Sequence, residues 1–298
     1  MRLVTFQVDA EPRLGAVIGD QVVDLARESG GELPATMLEF IAGGDSALRA
    51  ARQLLDTVAQ GASLSEVQLL APIPRPVRNI MCVGWNYAEH FEEGQGRRGP
   101  GGSDEMPEYP TFFTKLPTCV VGPGAGVQLD ARISTKLDWE VELAVVVGPG
   151  GRDIRPEEAM AHVFGYTVAN DVSVRDVQRR HGNQWFRGKS MDTHCPLGPW
   201  IVTADEIADP QRLRISSRVN GELKQDSNTE YMVFQIPRLI QELSLGTTLE
   251  AGDLLLTGTP SGVGFARTPP EYLQAGDVME MEIEGIGTLT NTVVEYTG

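Results

Sequence analysis

Apolar and polar positions fall mostly into short runs broken by glycine and proline, and more of these runs read as strands than as helices. Val4, Phe6 and Val8 alternate with polar neighbours, a turn follows over 12–15, and Val17, Val22, Val23 and Leu25 add strand-like material. Helical patterns occupy 35–41 and 46–57. Residues 1–70 show no evident chemistry and read as a small β-rich N-terminal domain with helices. A connector with Pro72, Pro74 and Pro76 leads into a short apolar strand over 79–84 and a short helix over 85–93. Residues 94–110 are rich in glycine, arginine and acid and read as a mobile loop, a candidate lid. Further strands are predicted over 109–115, ending in Lys115, over the right half of the 137–148 stretch, with Glu140 and Glu142 at its start, and over 164–171. A helical patch covers 155–162, and a helix is expected to begin near Ser173. A polar loop over 181–192 precedes a strand over 196–203. The triplet Val219, Asn220, Gly221 fits a type I′ hairpin turn. An amphipathic helix over 233–244, a strand entering a Gly/Pro turn over 254–264 and two last strands over 278–283 and 289–296 complete the chain. The pattern predicts a mostly β core with peripheral helices, an α+β protein, with residues 71–298 as its catalytic part.

Composition removes several function classes. The 298 residues suffice for a large core, and 41% hydrophobic with 22% charged content is ordinary for a soluble protein. A net charge of −16 argues against a nucleic-acid or anionic-membrane surface. No apolar run approaches the ~18 residues of a membrane span. Cys82, Cys119 and Cys195 form neither a disulfide framework nor a zinc signature, so a reducing cytoplasm is the expected setting.

The strongest chemical signal is the stretch L-D-W-E-V-E-L-A-V-V-V-G over 137–148. Residues two apart on a strand share a face, roughly 6.5 Å apart along the chain, so Glu140 and Glu142 are neighbours. Two carboxylates on a buried strand lose hydration and repel each other unless a divalent cation lies between them. The other reading is a solvated strand end. Asp171, ending the next apolar strand, is a candidate third ligand or a plain turn residue. His90 and Glu93 are three apart on a short helix, where a carboxylate can fix the imidazole tautomer and raise its basicity. A surface His–Glu pair would show the same spacing. Lys189 reads as a cation aimed into a cleft or as a loop lysine. Thr257, Thr259, Ser261 and the backbone of the 254–264 turn can hold a carboxylate. Two nominal motifs fail. Gly94, Gly96 and Gly99 lack a βαβ context for a dinucleotide site, and Asn183 stands where a P-loop needs glycine.

Nine stretches together are similar to the fumarylacetoacetate hydrolase family in its C-terminal-domain form. They are V-G-W-N-Y-A-E-H-F-E-E, P-T-F-F-T-K, L-D-W-E-V-E-L-A-V-V-V-G, F-G-Y-T-V-A-N-D-V-S-V-R-D, W-F-R-G-K-S-M-D, L-G-P-W-I-V-T, V-N-G-E, L-L-T-G-T-P-S-G-V-G and I-E-G-I-G-T-L-T-N, in family order over about 72–298. The resemblance implies a β-roll of mixed sheets, a homodimer, and one magnesium or manganese per subunit held by Glu140, Glu142 and Asp171. It implies Lys189 as the active-site lysine, His90 and Glu93 as the dyad of hydrolytic members, and Thr259 near substrate. Gly258 and Arg175 join Thr259 as candidate substrate-binding residues. Trp85 departs from the smaller or aliphatic residue of many members, and the 94–110 loop is longer than in compact ones.

All-oxygen ligands select a hard cation, Mg2+ or Mn2+. A 2-oxo acid can chelate it through its carboxylate and keto oxygen, with Lys189 adding positive charge at the developing enolate. The expected reaction is hydrolysis of an acylpyruvate, a 2,4-dioxo acid such as fumarylpyruvate or maleylpyruvate, to pyruvate and a carboxylic acid. Water activated by His90 would attack C4. The same enolate serves decarboxylation of oxaloacetate or of 5-oxopent-3-ene-1,2,5-tricarboxylate, and isomerisation of 2-hydroxyhepta-2,4-diene-1,7-dioate. A non-catalytic binder of 2-oxo acids is the alternative outside enzymes.

Overall fold

The computed structural model describes residues 1–7, 11–58, 60–96, 105–182 and 184–298. The middle of the expected lid loop, 97–104, lies outside the described residues, as do Val8 and Asn183. Two large sheets organise the fold. The first has twelve strands. From one edge its path runs Ala62–Ser63, Gln21–Asp24, Arg13–Ile18, Arg2–Gln7, Cys195–Thr203, Val163–Asn170, Val141–Val147, Leu254–Leu256, Ile80–Gly84 and Thr111–Lys115. The second has five strands, in the order Glu222–Asn228, Arg214–Val219, Val278–Ile283, Gly287–Glu295, Gly126–Leu129. Most pairs are antiparallel, but Leu254–Leu256 runs parallel to Ile80–Gly84 and Gly287–Glu295 parallel to Gly126–Leu129. The mostly β, mixed-sheet fold with few helices is the one the sequence pattern predicts.

Val141–Val147 is the centre, buried along its whole length. Its β-branched content suits a strand covered on both sides. Alternation sends Val141, Leu143, Val145 and Val147 into one core with Met279, Met281, Ile283 and Leu289 of the second sheet. Ala144 and Val146 face a second core with Leu3, Phe40, Ile41, Phe164 and Leu254. Each buried Val or Leu contributes about 1.5–3 kcal/mol. The N-terminal segment is therefore joined to the rest: Arg2 and Leu3 pair with Val202 and Ile201, and its helices cover one face of the common sheet. The division expected at 70/71 marks a change in sequence pattern, while the sheet runs through it.

Several elements differ locally from the sequence reading. The strand expected to start at Glu140 begins at Val141, and Leu137–Asp138 ahead of it form a separate short strand. Side chains interrupt the ladder between them: the Glu140 N–H donates to Asn170 Oδ1 and the Val141 N–H to Gln225 Oε1. The helix expected from Ser173 starts at Arg175, because Ser173 and Val174 pair with Asp138 and Leu137. The 181–192 loop contains a helical turn, Phe186–Lys189. The amphipathic helix begins at Ile236, since the N–H groups of Val233 and Phe234 are already held by the backbone and side chain of Asn86. The hairpin turn is as read, with Asn220 and Gly221 both at positive φ, 53° and 77°.

Candidate active site

Antiparallel pairing of Val141–Val147 with Val163–Asn170 places Val141 opposite Asn170. The start of one strand thus meets the end of the other, bringing Glu140, Glu142 and Asp171 together across thirty residues of chain. The Asp171 N–H donates to the Glu140 carbonyl at 2.9 Å, which fixes the junction. One carboxylate oxygen from each of the three lies within 4.8 Å of the others, and all three residues are buried. The donor set is all oxygen, compact and anionic, and it fits a hard divalent cation.

Three buried cations face these carboxylates. Lys189 Nζ donates to Glu140 Oε2 at 2.7 Å and to Asp171 Oδ2 at 2.6 Å. Lys115 Nζ, fully buried, donates to Asp171 Oδ1 at 2.6 Å and to the Val172 carbonyl at 3.2 Å. Arg175 contacts Asp138 Oδ2 through Nε at 2.7 Å and Glu140 Oε1 through Nη1 at 2.7 Å. Burial pushes the Glu140 carboxyl up, but Lys189 and Arg175 outweigh it and hold it well below the ordinary range. Burial, then Asp171 and Glu140, push the Glu142 carboxyl well above that range. With Asp138 counted, four carboxylates face three cations. A proton on Glu142 balances the set, and a dication would displace that proton.

The Gly/Pro turn supplies a second wall. The Gly258 N–H donates to Glu142 Oε2 at 2.7 Å. Gly258, a candidate substrate-binding residue, thus orients a triad member through its N–H. The position needs glycine, because φ is +99° and a Cβ would press on Asn86. Thr259 Oγ1 accepts from Gln225 Nε2 at 2.7 Å, which leaves its hydroxyl hydrogen available. The Ala88–Glu93 helix packs on this turn, with Glu93 Oε2 accepting from the Gly262 N–H at 2.8 Å. Glu93 Oε1 lies 2.7 Å from His90 Nδ1. A carboxylate there makes Nδ1 the donor and leaves the lone pair on Nε2.

These groups surround one cavity of about 400 Å3, lined by His90, Glu140, Glu142, Arg175, Lys189 and Thr259 among others. Asp171 and Glu93 lie behind that lining, each bonded to a group in it. Part of its lining is aromatic, with Trp85, Phe112, Phe113 and Trp185. Trp85, at a positive φ of 57°, stands edge-on to Trp185 at 4.7 Å and to Phe91 at 5.8 Å between ring centroids. Gly84 clears the space for Trp185, since a Cβ there would collide with the indole.

Residues 79–294 match the family described as Fumarylacetoacetate (FAA) hydrolase C-terminal. The chain belongs to the fumarylacetoacetate hydrolase family. Oxaloacetate tautomerase YisK of Bacillus subtilis (strain 168) is 43% identical over 307 residues, covering 98% of this chain and all of that one. The mitochondrial oxaloacetate tautomerase Fahd2a of Rattus norvegicus is 47% identical over 298 residues, covering 99% of this chain and 92% of that one. A crystal structure of maleylpyruvate hydrolase from Sphingobium sp. SYK-6, in complex with manganese(II) and pyruvate, shares 32% identity and a TM-score of 0.79 over 99% of both chains. Family members are thus enzymes acting on small acids, and no helix among the described residues is long and apolar enough to cross a membrane.

Sequence reasoning left several site residues unassigned. Lys115 was visible only as a lysine ending a strand, 56 positions from Asp171. Asp138 reads as ordinary polar sequence, yet it accepts from Arg175 and from the N–H groups of Gly264 and Phe265. Gln225 ties the start of the central strand to Thr259. The signal that could have drawn notice to Asp138 and Lys115 is a charged residue placed against an otherwise apolar strand.

Proposed function

We propose that the chain moves a proton at C3 of a 2-oxo acid, with keto–enol tautomerisation of oxaloacetate as its reaction. The observation that carries this reading is the His90–Glu93 pair opening on the same cavity as the carboxylate triad. A divalent cation, Mg2+ or Mn2+, held by Glu140, Glu142 and Asp171 would supply Lewis-acid stabilisation of the enolate. Lys189, bridging Glu140 and Asp171, places a fixed positive charge beside the same oxygens. His90 takes the C3 proton at Nε2 and gives it up to solvent, from which the enolate oxygen is protonated to the enol, while Glu93 holds Nδ1–H and stabilises the imidazolium in between. The Thr259 hydroxyl donates to a substrate oxygen. Two relatives above 40% identity named oxaloacetate tautomerases support proton transfer as the outcome.

A second reading is hydrolysis of an acylpyruvate, supported by the likeness to maleylpyruvate hydrolase and by the aromatic wall, which suits a longer acyl chain. There His90 would activate water for attack at C4. One experiment separates the two. Oxaloacetate in deuterated buffer is followed by proton NMR, and maleylpyruvate by product analysis, with Mg2+ or with chelator. Magnesium-dependent exchange at C3 without loss of carbon supports the tautomerase. His90→Asn should lower that rate by about 10²–10⁴. Release of pyruvate and a carboxylic acid from the acylpyruvate, without accelerated exchange, would replace it with the hydrolase. A full rate in His90→Asn would remove the dyad from either mechanism.

A further inference from the structure

The cationic end of the cavity holds more positive charge than the triad accounts for. Arg175, Gln178 and Arg179 sit at i, i+3 and i+4 of the Arg175–Arg180 helix, and all three line the cavity. Arg175 is 5% exposed and spends Nε and Nη1 on Asp138 and Glu140, while its Nη2 is buried with no hydrogen-bond partner. Arg179 is exposed, and among the described residues its guanidinium has no ion pair or hydrogen bond. Its neighbour Arg180 does have one, reaching Asp176 at 3.8 Å. Both cavity guanidinium groups lie over one ring, Phe265, at 4.4 Å for Arg175 and 5.2 Å for Arg179. Two like charges held over one aromatic ring repel, and an anion beside them lowers that cost.

We propose that Arg179 binds a second carboxylate on the substrate, remote from the 2-oxo acid group. The preferred substrates are therefore dicarboxylic 2-oxo acids. The proposal rests on the tautomerase reading only for the placement of the 2-oxo acid group against the triad. Arg179 selects among acids and takes no part in proton transfer. Phe265 sets the separation of the two guanidinium groups, and with it the distance from the 2-oxo group to the second carboxylate.

The test uses stable hydroxy-acid analogues that differ only by the remote carboxylate. Racemic malate and racemic lactate are titrated by calorimetry into the Mg2+-loaded protein, with oxalate as a probe of the triad end. The wild type is expected to favour malate by about 10–100-fold, the worth of a charge-assisted hydrogen bond. In Arg179→Gln the malate-to-lactate ratio should fall to within about threefold of unity, and Arg179→Lys should restore part of it. Arg179→Glu should reverse the preference. A wild-type ratio near unity, or a ratio unchanged in Arg179→Gln, overturns the inference and leaves the tautomerase reading standing. Failure of oxalate to bind the magnesium-loaded wild type overturns both.

Discussion

Lys115 offers the sharpest test of how the buried charges are balanced. The substitution Lys115→Met keeps the bulk of the side chain and removes its only charge, leaving Asp171 with Lys189 as its remaining ion-pair partner. Burial opposes the Lys115 charge, yet Asp171 outweighs that and raises its pKa, so the ammonium persists throughout the accessible pH range. Breaking a buried pair by deleting one member costs about 3–5 kcal/mol, because the other charge is stranded. For 298 residues the unfolding entropy near the midpoint is roughly 0.6 kcal/mol per kelvin, so the metal-free Tm should fall by about 5–8 °C. A dication in the triad compensates the same carboxylate. The rise in Tm on adding Mg2+ or Mn2+ should therefore be larger in Lys115→Met than in the wild type. Differential scanning calorimetry at one scan rate, in chelator and at matched metal concentrations, reads both quantities. The double variant Lys115→Met, Asp171→Asn should recover most of the loss in chelator and respond weakly to metal, since the stranded charge is gone. A metal-free Tm within about 2 °C of wild type for the single variant, or a smaller metal response, would refute the reasoning.

Two further expectations follow from groups outside the proton-transfer chemistry. His194 is buried, its Nε2 donates to the Gln128 carbonyl at 2.8 Å, and its buried Nδ1 has no acceptor for a second proton; burial foremost lowers its pKa to about 4. The unfolded chain, near the ordinary value of 6.5, binds more protons between those limits, so stability is full above about 6.5 and is lost as pH falls toward 4. Urea melts should show roughly 2 kcal/mol less stability at pH 5 than at pH 7 from this residue alone, and His194→Gln should flatten the slope by that amount; parallel slopes would exclude it. Gly188→Ala places a Cβ against the backbone of Gln178, so the Phe186–Lys189 turn must move away from the helix bearing Arg175. Stability should fall by about 1–3 kcal/mol, and turnover under folded conditions should drop at least tenfold because Lys189 moves with the turn; unchanged turnover would show that Lys189 tolerates displacement.

What was legible in the sequence follows from the range of the interactions involved. Alternation, turn residues and apolar runs act over a few positions, and they predicted the strands, the hairpin at Asn220–Gly221 and the shared face of Glu140 and Glu142. The pairing of Arg2–Gln7 with Cys195–Thr203 spans nearly two hundred residues, so no local pattern could show that the N-terminal segment extends the central sheet. The same limit hid Lys115, whose partner is 56 positions away. It also hid the break at Trp139 and Glu140, where Asn170 and Gln225 take N–H groups that a regular ladder would use. Family resemblance reached further than periodicity because it compares ordered motifs, and it named the triad residues before any contact was known. It said less of Arg175 and Gly258. The structure shows both spending donors on Glu140 and Glu142, which makes them supports of the triad, and Arg175 lines the cavity as well.

The charge arrangement bears on which reaction the site favours. A C–C hydrolase must deliver water to a carbonyl beyond the chelated group, whereas a tautomerase needs only a base at C3. Among the groups lining the cavity, the proposed base is His90, and Glu93 is held at both oxygens, by the imidazole and by the Gly262 N–H. A base clamped so tightly has a short reach, which suits a proton on the carbon next to the keto group. The Ala88–Glu93 helix is tied to the 258–264 turn again through Glu89 and Ser261, and the same turn holds Glu142 through the Gly258 N–H, so one turn joins the proposed base to the triad. Loosening that clamp should cost an exchange reaction at C3 more than it costs attack by a mobile water. Ser261→Ala together with Glu89→Gln is therefore the pair whose effect on deuterium exchange, relative to acylpyruvate cleavage, distinguishes a fixed base from a water-activating one.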